Sequence, residues 1–593
     1  MFHPISSIVA LALSLDCDSN QNYLKIIKKT GSWANEESFE IRNGNTALYI
    51  SPSLTNNQVR TIETCLTSTT NSIYTLRMKD SAGDGWSNLA YIELYGIHGN
   101  MVYKGMMVEK RLEEVQFSLY TPIGYGASWK YTASASGNWK DASFSDNDWT
   151  TVTLGSTTQT ASGTQFFRKT FTGVNGIAAI DVQLKYKFGV VAYINGVEIY
   201  RDNMPDGAIS PSTPSTGSYG SYAYHGVIRS ASVAQASSSV LAVELHFSNA
   251  ESSTIEFNSL LAFFAGISTA NNCYVVPTTT TASASGFTGY SSSNDWSRNT
   301  GATAQTAPAS LTYEFTGASI PMIDAFRIWL YTSNQNTVSD FTIEGATSKT
   351  GTYSTIMASS GNVYAGYTWE QFDRLTPADR FKAIRLNALA SHSTTMHINE
   401  LQFLVCNKPT VTTITFKESA YSYYRNSESA YIAPTVFGFT GCTVSPALPA
   451  GMSMNAETCI ITGTPTEIRA TTTYQVSATV QGQTYQGSFS LTVSDCTGTL
   501  YKMVRTYKTN PEKEYFRIRD TSNDDILFEV ESGHSHSADK EWTKYLCISV
   551  ERFDVAFYST ATNWYANSFF YMYYLLPDNE MILKGYYDDC SNH

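Results

Sequence analysis

The chain begins and ends with two copies of one sequence unit. In each copy a cysteine, a strand core, a second cysteine, a tyrosine-rich run and a closing Lys-Gly occur in the same order. The first copy has them at Cys17, 37–41, Cys65, 91–95 and 101–105, and the second at Cys496, 514–518, Cys547, 571–575 and 581–585. A unit that recurs in order with small gaps indicates a duplicated domain. The chain is therefore predicted to be a modular array with related domains at its two ends.

The composition argues against nucleic acid and anionic membranes as partners. A length of 593 residues suffices for about four to six domains. Charged residues make up only 15% of the chain, against roughly 25% in a typical soluble protein. The net charge is -12 and no cluster of Lys or Arg is present, so no electrostatic footprint for nucleic acid exists. No transmembrane segment is expected, because no apolar run is long enough to span a bilayer.

The cysteines predict disulfides and an oxidising compartment. The chain has 9 cysteines, placed where domains begin and end and not in the paired spacings of zinc or redox sites. The predicted pairs are Cys17–Cys65, Cys273–Cys406, Cys442–Cys459 and Cys496–Cys547. Cys590 is left over, either as a free thiol, as a bond to another chain, or as an alternative partner in the last domain. An extracellular or cell-surface location follows.

The N-terminus favours export. Residues 5–15 form an apolar run in which Ala12 and Ser14 have the spacing of a cleavage site, although no Lys or Arg precedes it. Residues 1–16 are read as a signal peptide, with a buried first strand as the alternative. No Asn stands two residues before Ser or Thr, so N-glycans are either excluded from these surfaces or not used by the host.

The periodicity predicts an all-β protein, a linear array of five β-sandwich or jelly-roll domains. Short alternating runs bounded by Gly, Asn, Ser and Pro recur throughout, and helical periodicity is nearly absent. The predicted domains are the first repeat copy at 17–121, then 122–266, 267–407 and 408–495, and the second repeat copy at 496–593.

The loop from Asp80 to Trp86 resembles the D-x-x-G-D-G-W element of secreted β-domains. Asp80 and Asp84 could hold Ca²⁺ through carboxylate oxygens. However, Tyr91 stands at the twelfth loop position, where an EF-hand has an acid, and the second copy has Thr562-Asn563-Trp564 without either carboxylate. We therefore expect a turn that buries Trp86. No cofactor is expected, and Ca²⁺ is not expected to be required.

Residues 122–266 resemble the galactose-binding-like jelly roll that accompanies β-galactosidases. The matching positions are Trp129, Asn138-Trp139, Phe144, Asp148-Trp149, 166–171, 189–207 and 240–247. Asn195-Gly196, between two alternating runs, predicts a tight hairpin turn. Glu244 and His246 share one strand face and could be mistaken for an acid–base pair. The resemblance implies that this motif is structural, so catalysis is not expected here.

Residues 268–407 resemble a discoidin-type domain, the fold of coagulation-factor type C modules and many lectins. The matching positions are Asn294-Asp295-Trp296, Ile320-Pro321, 326–328, 340–345, 384–387 and 398–401. In this family Cys273 and Cys406 would join the two ends, and loops at one end of the barrel hold sugars or lipid head groups. Trp296, Tyr290 and Tyr331 are the candidate ligand contacts, because aromatic faces with polar edges suit sugars. Trp296 is more often a core residue in this family.

Residues 408–495 resemble the "putative Ig" domain of microbial surface proteins, related to cadherin-like modules. The matching stretches are 448–467, 474–476 and 489–493. Calcium sites of the cadherin type are missing. In the last domain His534 and His536 have the alternation of one strand face, but with no third ligand nearby a solvated loop is the better interpretation than a metal site.

No catalytic motif is present, so the protein is predicted not to be an enzyme. The first functional hypothesis is a structural subunit of a cell-surface or matrix assembly, such as a filament, that self-associates through β-domain contacts. It rests on the related end domains, the low charge, the odd cysteine and the 39 tyrosines, because interface cores are poor in charge and rich in Tyr. The alternatives are a glycan-binding adhesin or lectin-like protein, and the accessory binding part of a carbohydrate-active enzyme.

Overall fold

The computed structural model describes most of the chain as β-strands joined by turns. The residues described are 15–67, 72–86, 90–107, 111–154, 159–161, 163–247, 253–266, 272–276, 283–288, 302–304, 307–315, 317–330, 338–359, 368–374, 380–391, 396–407, 411–427, 430–480, 483–506, 513–531, 541–559, 569–574 and 580–585. One 3-10 helix, Ala231–Ala234, is present among them. The all-β prediction is confirmed. None of the described helical structure could cross a bilayer, since it is too short and too polar for that.

The first segment is a sandwich of two four-stranded sheets. Its strands are β1 Gln21–Lys29, β2 Glu37–Asn43, β3 Thr46–Ile50, β4 Val59–Thr67, β5 Ile73–Asp80, β6 Tyr91–Tyr95, β7 Met101–Gly105 and β8 Leu112–Ser118. The sheet orders are β4-β1-β6-β7 and β3-β2-β5-β8. Alternate residues of β5 (Tyr74, Leu76 and Met78) are buried, as the two-residue period of a strand requires when one face meets a core.

The second segment is a jelly-roll-like pair of sheets. Its strands are β9 Ser128–Thr132, β10 Thr150–Thr153, β11 Gln159–Ala161, β12 Gln165–Phe171, β13 Ile177–Tyr186, β14 Gly189–Ile194, β15 Val197–Asp202, β16 Ala223–Ser230, β17 Ser239–His246, β18 Ser253–Ile255 and β19 Asn258–Ala265. One sheet has the order β10-β9-β12-β17-β14-β15, and the other contains β19-β13-β16. Asn195 and Gly196 both have positive φ, 51° and 83°, between the antiparallel strands β14 and β15. The predicted hairpin turn is confirmed.

The described residues of the third and fourth segments form twenty strands. Those of the third are β20 Cys273–Val275, β21 Ser283–Ser285, β22 Phe287–Thr288, β23 Ala302–Ala304, β24 Ala309–Glu314, β25 Ser319–Pro321, β26 Ala325–Leu330, β27 Val338–Ala346, β28 Ser354–Ser359, β29 Thr368–Asp373, β30 Ala383–Ser391, β31 Met396–Ile398 and β32 Glu400–Cys406. Those of the fourth are β33 Ala420–Tyr424, β34 Ala430–Ile432, β35 Thr443–Ser445, β36 Met452–Met454, β37 Ile461–Gly463, β38 Arg469–Val480 and β39 Gln483–Ser494.

The last segment has the strand order of the first. Its strands are β40 Thr499–Thr506, β41 Glu514–Asp520, β42 Ile526–Val530, β43 Glu541–Ile548, β44 Phe553–Ser559, β45 Phe569–Tyr574 and β46 Glu580–Gly585. Its sheets β43-β40-β45-β46 and β42-β41-β44 match β4-β1-β6-β7 and β3-β2-β5. A buried ion pair also recurs, because Lys28 and Glu37 occupy the same places in β1 and β2 as Arg505 and Glu514 in β40 and β41.

The structure contains disulfides at Cys17–Cys65, Cys273–Cys406, Cys442–Cys459 and Cys496–Cys547. Cys590 lies outside the described residues, as do His534, His536 and residues 1–14. The predicted domain boundaries and the count of five stay predictions.

The first four segments are joined in turn by ring contacts, backbone pairing and a backbone hydrogen bond. Strand β25 of the third segment adds in parallel to β16 of the second, with Gly226 opposite Ser319. Between the first and second segments, the rings of Tyr120 and Phe263 lie 5.4 Å apart. Between the third and fourth, the amide of Phe437 donates to the carbonyl of Asp373 at 2.7 Å. These joints bring three segments around one cleft.

Candidate functional site

A cleft of about 320 Å³ lies where the first, second and third segments meet. This volume is at the lower end of the roughly 300–1,000 Å³ found for small-molecule sites. We call it the three-segment cleft. It is lined by Tyr95, Gly99, Asn100, Met101, Asp181, Gln183, Ile228, Phe264, Tyr274, Val276, Phe315, Gly317, Ala318, Ser319 and Pro321.

The apolar side of the cleft is rigidly packed. The rings of Phe264 and Tyr274 stack at 4.4 Å with their planes only 8° apart, and both side chains are buried, as is Phe315. The Tyr274 hydroxyl donates to the carbonyl of Met101 at 3.3 Å, which ties the third segment to the first. A ligand would therefore meet a preformed wall, and little ordering entropy would be lost on binding.

Asp181 supplies the charge of the cleft. It lies on β13, where Ile180 and Val182 face the core of the second segment, so the strand period turns Asp181 and Gln183 to the opposite face. The carboxylate accepts a hydrogen bond from the Ser319 hydroxyl and one from Gln183 Nε2 at 2.8 Å. Burial raises the pKa of Asp181 to about 6, although these two hydrogen bonds act to lower it. The cleft therefore carries a carboxylate that is mostly ionised at neutral pH.

Asn100 lines the cleft and has an unpartnered acceptor among the described residues. It follows the turn between β6 and β7, where Gly99 has a φ of +74° and the Gly96 amide donates to the Asn100 carbonyl at 2.9 Å. The side-chain Oδ1 of Asn100 is buried and has no hydrogen-bond partner among the residues that the structure describes. A buried acceptor without a partner costs about 1–3 kcal/mol, so a donor on a ligand would compensate it.

The lining residues suit a small, neutral and hydroxyl-rich ligand. Within the described part of the chain no Lys or Arg lines the cleft, which disfavours anions. Tyr95 and Gln183 are part-exposed, and they line the cleft together with Phe264, Tyr274 and Phe315. A sugar has the same division between an apolar ring face and polar edges.

Glu244 and His246 belong to a buried hydrogen-bond network and are not among the lining residues of the three-segment cleft. The Glu244 carboxylate accepts a hydrogen bond from the Tyr193 hydroxyl at 2.6 Å, and His246 Nε2 lies 3.5 Å from it. Burial acts to raise the pKa of Glu244, but hydrogen bonds from His246 and Tyr193 outweigh it and the pKa is lowered. The strand face that carries them is covered, because Ala242 packs with Trp139 and Tyr193.

Of the remaining predicted site residues, Asp80 and Asp84 are brought together, and Glu36 joins them. Trp86 is buried, with 3% of its surface exposed, as the turn interpretation expects. Trp296, Tyr290 and Tyr331 lie outside the described residues. The sequence analysis missed the cleft residues, since they carry no motif and come from three segments. A turn at Gly99, whose φ is positive, is a local signal that could have pointed to Asn100.

Parts of the chain match a known protein family and known structures. Residues 404–494 match the family model "Putative Ig domain", which confirms the Ig-like prediction for this region. No curated protein matches the chain.

Among solved structures, the chain is similar to the family 32 carbohydrate-binding module of NanJ from Clostridium perfringens in complex with galactose. The sequence identity is 19%, the match covers 22% of this chain and 98% of that chain, and the TM-score is 0.20. It is also similar to an F5/8 type C domain from Bacteroides fragilis. The sequence identity is 14%, the match covers 23% of this chain and 97% of that chain, and the TM-score is 0.21. A calcium-binding mutant of Bacteroides uniformis beta-glucuronidase 2 matches at 8% identity, over 74% of this chain and 98% of that chain, with a TM-score of 0.22.

Proposed function

We propose that the protein is a non-enzymatic extracellular glycan-binding protein that holds a neutral sugar in the three-segment cleft. The observation that carries this proposal is the cleft itself, with stacked Phe264 and Tyr274 beside Asp181, Gln183 and the unpartnered Asn100 Oδ1. Among the described lining residues Asp181 is the one carboxylate, whereas glycoside hydrolysis commonly uses two, which favours binding over cleavage. The four disulfides suit an oxidising environment outside the cell.

Binding through the cleft predicts that Asn100→Ala weakens affinity for the sugar about tenfold, because the ligand then loses a hydrogen bond in a dry site. The full chain is first screened on an array of neutral glycans that includes galactosides, and the strongest glycan is then titrated calorimetrically. Asn387→Ala is the matched control, since Asn387 is also half-buried but bonds Thr342 on β27, away from the cleft.

The same titration decides between the cleft and the discoidin-type loops. Trp296→Ala tests the loop residue predicted from the sequence. If Asn100→Ala binds as well as the unchanged protein while Trp296→Ala does not bind, the cleft is the wrong site. If no neutral glycan binds at all, the glycan-binding proposal is wrong.

A structural subunit is the second candidate, and the joints between segments favour it. The β16–β25 pairing and the Phe437–Asp373 bond make two of these junctions stiff, as a load-transmitting chain needs. Head-to-tail contacts between such chains do not close and extend into fibres. We expect electron microscopy of the native material to show filaments if this role holds. A dispersed monomer at micromolar concentration would contradict it.

A further inference from the structure

Three carboxylates converge at one end of the first sandwich. Asp80 is the last residue of β5 and pairs in register with Glu37 at the start of β2, so Glu36 lies beside it. Asp84 follows in the loop toward Trp86. One oxygen from each of Glu36, Asp80 and Asp84 lies within 4.8 Å of the other two. We call this group the acidic triad.

Asp80 is the buried member and lacks a partner for one oxygen. Its residue surface is 3% exposed. Its Oδ2 accepts hydrogen bonds from the amides of Gly83 and Gly85, the latter at 3.3 Å. Its Oδ1 is buried and has no hydrogen-bond partner in the described part of the chain. A buried carboxylate oxygen without a hydrogen bond or a countercharge is costly. Oδ1 of Asp80 lacks the compensation that Oδ2 receives from the amides of Gly83 and Gly85.

The nearby cations are engaged elsewhere. Lys28 Nζ lies 2.5 Å from Glu37 Oε2, so its charge is paired with Glu37 and not with the triad. Arg111 Nη1 donates to the Ser81 carbonyl at 2.9 Å, and its side chain packs against Gly83. Among the described residues, no Lys or Arg forms a salt bridge with any member of the triad.

We propose that the acidic triad is a Ca²⁺ site. Carboxylate oxygens are the ligands of this hard cation, at 2.3–2.6 Å, so two oxygens on one ion can stand up to about 5 Å apart. The separations within the triad fit that limit. Ca²⁺ takes about six to eight oxygens, and the exposed side of Asp84 leaves room for water to complete the shell. The ion would compensate the unpartnered oxygen of Asp80.

The last segment has the same strands without the triad. Glu514 pairs with Ser559 where Glu37 pairs with Asp80, so Ser559 replaces Asp80 and Lys513 replaces Glu36. By sequence, Thr562 replaces Asp84. Since that segment keeps the matching sheets, the cation is a property of the first segment and not a requirement of the fold.

The test is calorimetric titration of the full, calcium-free chain with CaCl₂. We expect one site per chain, with a dissociation constant of roughly 10⁻⁴ to 10⁻³ M, as in extracellular modules. Tb³⁺ bound at the same site should luminesce on excitation of the tryptophans, because Trp86 is two residues from Asp84. Glu36→Gln and Asp84→Asn should each weaken binding at least tenfold, and the double variant should abolish it.

Glu114→Gln is the matched control, since Glu114 is an acid of the same segment that pairs with Arg77 outside the triad. Circular dichroism of each variant checks whether the fold is retained. We expect that it is, because Glu36 and Asp84 are not buried. Asp80→Asn is not used as a test variant, because its amide would disturb the hydrogen bonds from Gly83 and Gly85. The proposal is overturned if the unchanged chain binds no Ca²⁺ up to about 10 mM, well above the affinity range of such modules, or if the double variant binds like the control.

Discussion

Replacing Glu37 with Gln is expected to destabilise the first segment by about 3–5 kcal/mol, the cost of leaving a buried charge without its partner. The side chains of Lys28 and Glu37 are 0% and 1% exposed, and Lys28 Nζ lies 3.7 Å above the Trp86 ring. Burial lowers the pKa of Lys28 to about 8, and Glu37 opposes that shift. Without Glu37, Lys28 must either stay charged in the core or lose its proton.

Hydrogen exchange of the full chain measures this effect through the amides of β1 and β2. The double variant Lys28→Met/Glu37→Gln should lose less stability than the sum of its single variants, because both charges are then gone. Glu114→Gln breaks a more exposed pair with Arg77 and should cost at most about 1 kcal/mol. A Glu37→Gln chain that exchanges as slowly as this control would show that the buried pair contributes nothing.

Glu514→Gln should have the same effect on the last segment, where Arg505 is fully buried.

The second segment is expected to lose stability as the pH rises from about 4 to 6. The pKa of Asp181 is about 6 in the folded protein against 3.8 for the ordinary group. Between these two values the folded state binds more protons than the unfolded state, so stability is highest below this window and falls through it. This difference between the two pKa values corresponds to a loss of at most about 3 kcal/mol in the free energy of unfolding at pH 7.

Asp181→Asn isolates this effect from the other carboxylates. Thermal unfolding of the unchanged chain and of the variant should diverge between pH 4 and 7, with the variant the more stable at pH 7. Asp206→Asn, at an exposed position of the same segment, should show no such divergence. A difference between the Asp181→Asn chain and the unchanged chain that is constant across this pH range would mean that Asp181 is not held in a desolvated state.

Local patterns were enough to predict the class of the fold. Strand burial follows the two-residue alternation visible in the sequence, as in β5, because each strand has to present one face to a core. The Asn195-Gly196 turn was predictable because few residues adopt positive φ at low cost. The disulfide pairs were predictable because they close the repeated units and one domain end to end.

The sites depended on contacts between residues far apart in the sequence. Ser319 donates to Asp181 across 138 positions, and Asn100 reaches the same cleft from the first segment. No periodicity or motif specifies how three segments pack together. The acidic triad shows the same limit on a smaller scale. Asp80 and Asp84 were visible as one loop, whereas Glu36 joins them only because β2 pairs with β5.

The sequence alone thus determined the strands, the turns, the disulfides and the relation between the two end units, because each depends on neighbouring residues or on a repeated pattern. The tertiary structure decided which carboxylates share a site, which charges are paired in the core and where a ligand would fit. The physical reason is that desolvation and hydrogen-bond compensation depend on the three-dimensional neighbours of a group. Lys28 and Asp181 have ordinary side chains, and only their burial gives them unusual properties.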